Sequence, residues 1–150
     1  FDHRLMAVIR FATPQDAPEL SRLLTSLGHP TTVGEIGARW DAWQAEGNSA
    51  LVAVRPDGTL SGAATLHRTW VLHRPRPLGR VTSLIVDEPD RGRGVGRALL
   101  AEAERLFTEA GCGLLEITSN VARQDAHAFY LHLGYQQTSA RFMKKLTVDR

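Results

Sequence analysis

Apolar residues recur along this chain in two rhythms, and the switches between them mark its elements. A short apolar run over residues 7–11 reads as a strand. Thr13-Pro14 then starts a helix, with the hydroxyl as N-cap and proline at the first helical position, where its missing N–H costs nothing. Leu20, Leu23, Leu24 and Leu27 follow at three- and four-residue spacing, and Gly28 closes that helix. A second helix is predicted over about 33–46, with Ile36, Trp40 and Trp43 on one face and Gly47-Asn48 as its stop. Residues 49–55 and 60–72 read as an antiparallel hairpin joined by Pro56-Asp57-Gly58.

After a proline-rich loop over 73–79, the run 81–86 is β-branched and apolar enough for a central strand. An amphipathic helix over roughly 94–110 would bury Val95, Leu99, Leu106 and Phe107 and end at Gly111. A buried strand at 114–118, a short helix at 125–133 closed by Gly134, and a last strand within 135–145 complete the pattern. The order β-α-α-β-β-β-α-β-α-β predicts an α/β fold, a mixed sheet with helices on both faces.

Composition narrows the class. A chain of 150 residues, 43% hydrophobic, is long enough to bury one core. Residues 1–5 are expected to be a leftover of expression, with a natural start at Met6 and one domain over 6–150. No apolar run approaches the ~20 residues of a bilayer span, so no membrane partner is expected. One cysteine excludes an intramolecular disulfide framework and argues against a thiolate zinc site, and a reducing cytoplasm suits such a chain. The net charge of +2 is too weak to argue for nucleic acid. The arginines cluster, however. Arg91, Arg93 and Arg97 sit in one glycine-rich stretch, where they could meet phosphates, while Arg68, Arg74, Arg76 and Arg80 read as a solvated loop.

The stretch with chemistry in it is 83–97. A hydrophobic strand ends, a polar turn follows, and Gly92, Gly94 and Gly96 open a helix. Helix N-termini present unpaired N–H groups and the positive end of the helix dipole, so an anion is favoured there. The glycines could instead serve only a tight turn with solvated arginines; the strand before and the helix after favour phosphate. A dinucleotide fold has Glu116 in its favour, 20 residues beyond Gly96, where an acidic ribose contact would fall. Its G-x-G-x-x-G spacing is absent, and too little chain follows for a doubly wound sheet. A P-loop is excluded because no Gly-Lys-Ser/Thr follows the glycines. His127 and His132, five apart, do not share a helix face, and no metal site is expected. Cys112 reads as a small buried residue with no adjacent base in sequence.

Arg91-Gly92-Arg93-Gly94-Val95-Gly96 resembles the R/Q-x-x-G-x-G/A signature of the GNAT superfamily of acetyl-CoA-dependent N-acetyltransferases. Leu84-Ile85-Val86-Asp87-Glu88-Pro89 is similar to that family's fourth strand and following turn, and Phe129-Tyr130 with Leu133-Gly134-Tyr135 to its F-Y-x-x-x-G-F/Y segment. The opening stretch 9–17 also resembles family N-termini, so the resemblance spans nearly all of 6–146.

The resemblance implies a mostly antiparallel sheet with one splayed parallel strand pair. It implies acetyl-CoA as co-substrate, its pyrophosphate held by Arg91, Gly92, Arg93, Gly94, Val95, Gly96 and Arg97. The strand Leu84, Ile85 and Val86 would part from its neighbour at a bulge and bind the pantetheine arm, with an N–H of Val86 or Leu84 near the thioester carbonyl.

Tyr130 would be the general acid for the departing thiolate, its alternative being a packing tyrosine beside Phe129. Glu116 would take the amine's proton, directly or through water, its alternative being a surface glutamate. Asn120 would contact pantetheine or substrate; ten positions separate it from Tyr130 where seven is common in the family, and Arg123 stands at that position. Trp40, Trp43 or His29 could border the acceptor pocket. The implied partner is a small-molecule primary amine attacking in a ternary complex, with a homodimer compatible with the fold. A non-catalytic acyl-CoA-binding module is the rival reading, against which Tyr130 stands.

Overall fold

The structure, a computed structural model, describes residues 8–118 and 124–147. These fall into two compact units divided after Thr118. The expected expression leftover at 1–5, and both Asn120 and Arg123, lie outside the described residues.

The first unit is a five-stranded sheet in the spatial order of the chain, β1 (Val8–Phe11), β2 (Asn48–Val54), β3 (Leu60–Thr69), β4 (Leu78–Val86) and β5 (Leu114–Ile117). Pairs β1–β2, β2–β3 and β3–β4 are antiparallel, and β4–β5 is parallel. Between β1 and β2 come α1 (Ala17–Leu27) and α2 (Val33–Ala45); α3 (Val95–Glu109) makes the crossover from β4 to β5. A parallel pair needs such a crossover, and a helix supplies it.

Local sequence sets the helix starts. Thr13 and Asp16 form a capping box around a 3₁₀ turn at Pro14–Asp16 that runs into α1. Thr32 and Glu35 do the same for α2, Glu35 N–H donating to Thr32 Oγ1 (3.1 Å) and Thr32 N–H to Glu35 Oε1 (2.9 Å). At the end of α3, Gly111 takes φ +84° and Cys112 N–H reaches back to Phe107 O (2.9 Å), closing the helix.

The two sheet faces are covered by different helices. Val52, Ala63 and Ile85 lie side by side on one face, in a core with Leu20 and Leu23 of α1 and Ile36 and Trp40 of α2. On the other face α3 brings down Val95, Leu99, Leu100, Ala103 and Phe107, while Leu106 lies on its half-buried flank. This helix lies so close to the sheet that glycine is needed beneath it. A Cβ at Gly62 would meet Ile85 O at 2.8 Å and Val95 Cγ1 at 2.9 Å, and one at Gly79 would overlap the Phe107 ring.

Two expectations are corrected. The fourth strand begins at Leu78, not at 81, because Leu78 and Gly79 pair with Thr69 and Arg68 of β3 and are buried. Arg80 therefore lies within a strand and not on a solvated loop. In the second unit, α4 (Gln124–His132) forms as expected, but residues 135–147 make no strand among the described residues. A strand exists only through a partner, and the composition of 135–145 could not supply one.

Candidate active site

The site grows from one irregularity in β4. Thr65 of β3 faces Ser83 and Leu66 faces Val81, which leaves Thr82 as an extra, bulged residue. The bulge turns Thr82 and Ser83 to one side, where both hydroxyls meet Thr65 Oγ1, at 2.7 and 2.5 Å. Parallel pairing with β5 stops at Val81, the residue before the bulge. Beyond it, no strand among the described residues pairs with the outer edge of β4.

Backbone groups of successive strand residues point to opposite edges. Asp87 N–H donates to Ser61 O of β3 (2.8 Å), so Leu84 and Val86 direct theirs to the open edge. The side chain of Ile85 is in the α1–α2 core (3% exposed) and anchors the strand.

The chain then makes a 3₁₀ turn (Glu88–Asp90) and the glycine loop. Gly92 and Gly94 hold φ +77° and +88°, a left-handed conformation that a side chain would strain. The first intrahelical bond of α3 is donated by Ala98 to Gly94 O (3.0 Å), so Val95, Gly96 and Arg97 present N–H groups without intrahelical acceptors. Arg91, Arg93 and Arg97 are all exposed around this turn, and Arg91 Nε also donates to Val86 O (3.2 Å).

An ion-pair network braces the approach to the loop. Arg55, at the end of β2, donates to Asp87 (2.7 Å) and also to Asp90, while Arg22 of α1 donates to Asp87 (3.0 Å) and Glu19 (2.9 Å). Both guanidinium groups bond Leu60 O, and Leu60 N–H donates to Glu19 (2.9 Å). Burial pushes the Asp87 carboxyl up, but bonds from Arg55 and Arg22 outweigh it and hold the group below its ordinary value. The bond from Arg22 likewise leads in lowering Glu19. A cavity of about 410 Å³ borders the network, with Arg22, Arg55, Asp57 and Arg93 in its lining. Asp87 and Arg93 fall in stretches the sequence singles out, but Glu19, Arg22 and Arg55 lie in no motif, and sequence reasoning missed them.

Glu116 lies on β5 opposite Arg80 of β4. Arg80 donates to Glu116 Oε1 through Nη2 (2.9 Å) and Nε (3.2 Å), and the two side chains keep 35% and 41% of their surface exposed. In the second unit, Tyr130 is half-buried on α4, its ring 5.6 Å from Phe129 and 6.3 Å from Tyr135. Gly134 (φ +94°) turns the chain so that Tyr135 N–H donates to Tyr130 O (3.0 Å). Trp40 is buried in the core with the Trp43 ring 5.0 Å away, and His29 is exposed after α1. Leu84 to Arg97 thus form one continuous strand-to-helix stretch, and Glu116 stands one strand over, in register with Arg80.

A family model described as the acetyltransferase (GNAT) family matches residues 18–135. The chain belongs to the GNAT family. Among GNAT relatives, an aminoalkylphosphonate N-acetyltransferase of Salmonella typhimurium is 41% identical over 60% of this chain, and the match spans 58% of that relative's length. An aminoglycoside N(6')-acetyltransferase type 1 of Stenotrophomonas maltophilia is 32% identical over 87% of this chain and 86% of its own. Among solved structures, an acetyltransferase described as putative, from Agrobacterium tumefaciens, superposes with a TM-score of 0.82 at 29% identity, covering 93% of this chain and 99% of that one. The parallel β4–β5 pair beside an otherwise antiparallel sheet is the GNAT arrangement.

Proposed function

We propose that this GNAT chain transfers an acetyl group from acetyl-CoA to a primary amine of a small molecule, by direct attack in a ternary complex. The observation that carries the reading is the coincidence, within one stretch, of the β4 bulge, the edge it frees, and a left-handed glycine loop at the start of α3. These residues fit acetyl-CoA. Backbone N–H groups of Val95, Gly96 and Arg97, with Gly92 and Gly94 allowing close approach, would hold the pyrophosphate, and Arg91, Arg93 and Arg97 add charge. Leu84 and Val86 offer backbone N–H groups on the open edge to the pantetheine arm, held in place by Ile85, and Asn120 is assigned to the same arm or the substrate.

When bound, acetyl-CoA supplies an activated acetyl group on a thioester. The chain's residues would do the rest. Glu116 accepts the proton that the ammonium must lose before attack, through Oε2 or a water, since Arg80 occupies Oε1. Tyr130 donates a proton to the departing thiolate, a phenol being in general a weaker acid than a thiol but close enough in strength to protonate it as it leaves. The relatives named for aminoalkylphosphonate and aminoglycoside substrates support a small amine as acceptor. A reducing cytoplasm is the proposed setting for the chain's one cysteine.

Calorimetric titration with acetyl-CoA, repeated on Gly94→Glu, tests the reading. Wild-type binding and its loss in the variant are expected, because a carboxylate on a left-handed residue both strains the loop and repels phosphate. An absence of wild-type binding would overturn the assignment.

A further inference from the structure

On the face covered by α1 and α2, the sheet changes character in steps along β3 and β4. Across the strands, Val52, Ala63 and Ile85 form an apolar row inside the core. The next row is Ala50, Thr65 and Ser83, with the bulged Thr82 added. The row after that is Asn48, His67, Arg80 and Glu116, one polar side chain from each of four strands in register. Asn48 Nδ2 donates to Trp43 O (2.9 Å) and His67 Nε2 lies 3.3 Å from Glu46 O, which places this row beside the C-terminal end of α2.

The reverse face at the same level is packed under α3, with Leu66 and Val81 buried and Gly79 under Phe107, and carries the exposed Arg68 beside Gly79. Only the α1–α2 face sets a guanidinium and a carboxylate against each other in register, two residues short of the point where β4 frees its edge. Two residues of strand correspond to about 7 Å.

The pair at the end of the row is built in a particular way. Both Arg80 contacts fall on Glu116 Oε1, and among the described residues Arg80 Nη1 and Glu116 Oε2 carry no hydrogen bond. Both side chains are more than a third exposed, so the bridge contributes little stability and yields readily to a ligand. A guanidinium fork matches a carboxylate or phosphonate, and a carboxylate matches an ammonium.

We propose that Arg80 is the acceptor-selecting residue: the amine substrate also carries an acidic group, carboxylate or phosphonate, which binds the Arg80 guanidinium while its ammonium meets Glu116. This rests on the acetyltransferase reading and narrows it to zwitterionic amines. His67, opposite Arg80 on β3, supplies a second polar wall to the same subsite.

The test measures acetylation of 2-aminoethylphosphonate, β-alanine and propylamine, three short amines of which only the last lacks an acid. Wild type is expected to prefer at least one acid over propylamine by about ten- to a hundredfold in kcat/KM, the scale of charge-assisted hydrogen bonds. Arg80→Gln should collapse that ratio through KM, with the acetyl-CoA Kd and the melting temperature close to wild type.

Should Arg80→Gln not fold, inorganic phosphate competing with the preferred acid but not with propylamine on the wild type decides instead. Equal use of all three amines, turnover of none by a protein that binds acetyl-CoA, or retained selectivity in Arg80→Gln each overturns the proposal and leaves the acetyl-CoA reading standing. Loss of acetyl-CoA binding in Arg80→Gln would assign Arg80 to the fold and overturn it as well. A wild type that binds no acetyl-CoA ends both.

Discussion

At the scale of single residues, the site depends on which atoms a side chain leaves available. Tyr130 sits against Phe129 and Tyr135, so a phenyl ring in its place keeps the aromatic contacts and loses only the hydroxyl. Tyr130→Phe is therefore expected to bind acetyl-CoA as wild type does, while kcat falls by about a hundredfold or more, the range of general acid catalysis. Steady-state rates with calorimetry on the same preparation check this, and an unchanged kcat would move the acid elsewhere. Tyr130 and Glu116 are proposed from sequence because each lies in or beside a recognisable pattern. Their partners were not. Arg80 stood in a cluster that composition alone assigns to a loop, and only its register opposite Glu116 reveals the pairing.

At the scale of elements, α3 is seated by absences on the strands beneath it. A methyl group at Gly62 has no room between Ile85 O and Val95 Cγ1, and neither the backbone of β4 nor the first turn of α3 can yield alone. Gly62→Ala is expected to destabilise the fold by about 1–3 kcal/mol, the usual range for overpacking. Because α3 also carries the loop, acetyl-CoA affinity should weaken with it. Denaturant midpoints read the first effect and titration the second; a fully stable variant would mean that α3 can shift freely. The helices and most strands were legible from periodicity. The start of β4 was not, since Leu78 and Gly79 follow a proline-rich run and become strand only by pairing with Thr69 and Arg68. The family resemblance implied a bulge in this strand, but not its position at Thr82, because nothing about Thr-Ser marks one residue as extra.

At the scale of the whole molecule, acidic groups held by arginines set its response to pH. Asp16 is lowered by Arg10, then by Thr13, and Glu19 by Arg22; Asp87 is raised by burial but lowered on balance by Arg55 and Arg22. Groups lowered in the folded state bind protons more readily when unfolded, so their contribution is present above the ordinary carboxylate value and lost as pH falls through the folded one. The melting temperature is expected to hold from neutrality to about pH 4 and to fall below it. Arg55→Gln should shift the fall to higher pH, because Asp87 keeps its burial and loses its first partner. Identical acid limbs for the two proteins would exclude the network from this role.

What the sequence determined by itself was local. Capping residues, glycines with left-handed φ, the apolar stripes of α1 and α3 and the glycine loop all act over a few neighbouring positions, where chain geometry leaves little choice. What tertiary structure decided was every relation between distant positions. It joined Glu19, Arg22, Arg55, Asp87 and Asp90 into one brace, aligned Asn48, His67, Arg80 and Glu116 on one face, and ended the β4–β5 pairing one residue before the bulge. The physical reason is that strand register and ion pairing are satisfied across space. A partner tens of residues away has no spacing rule to announce it.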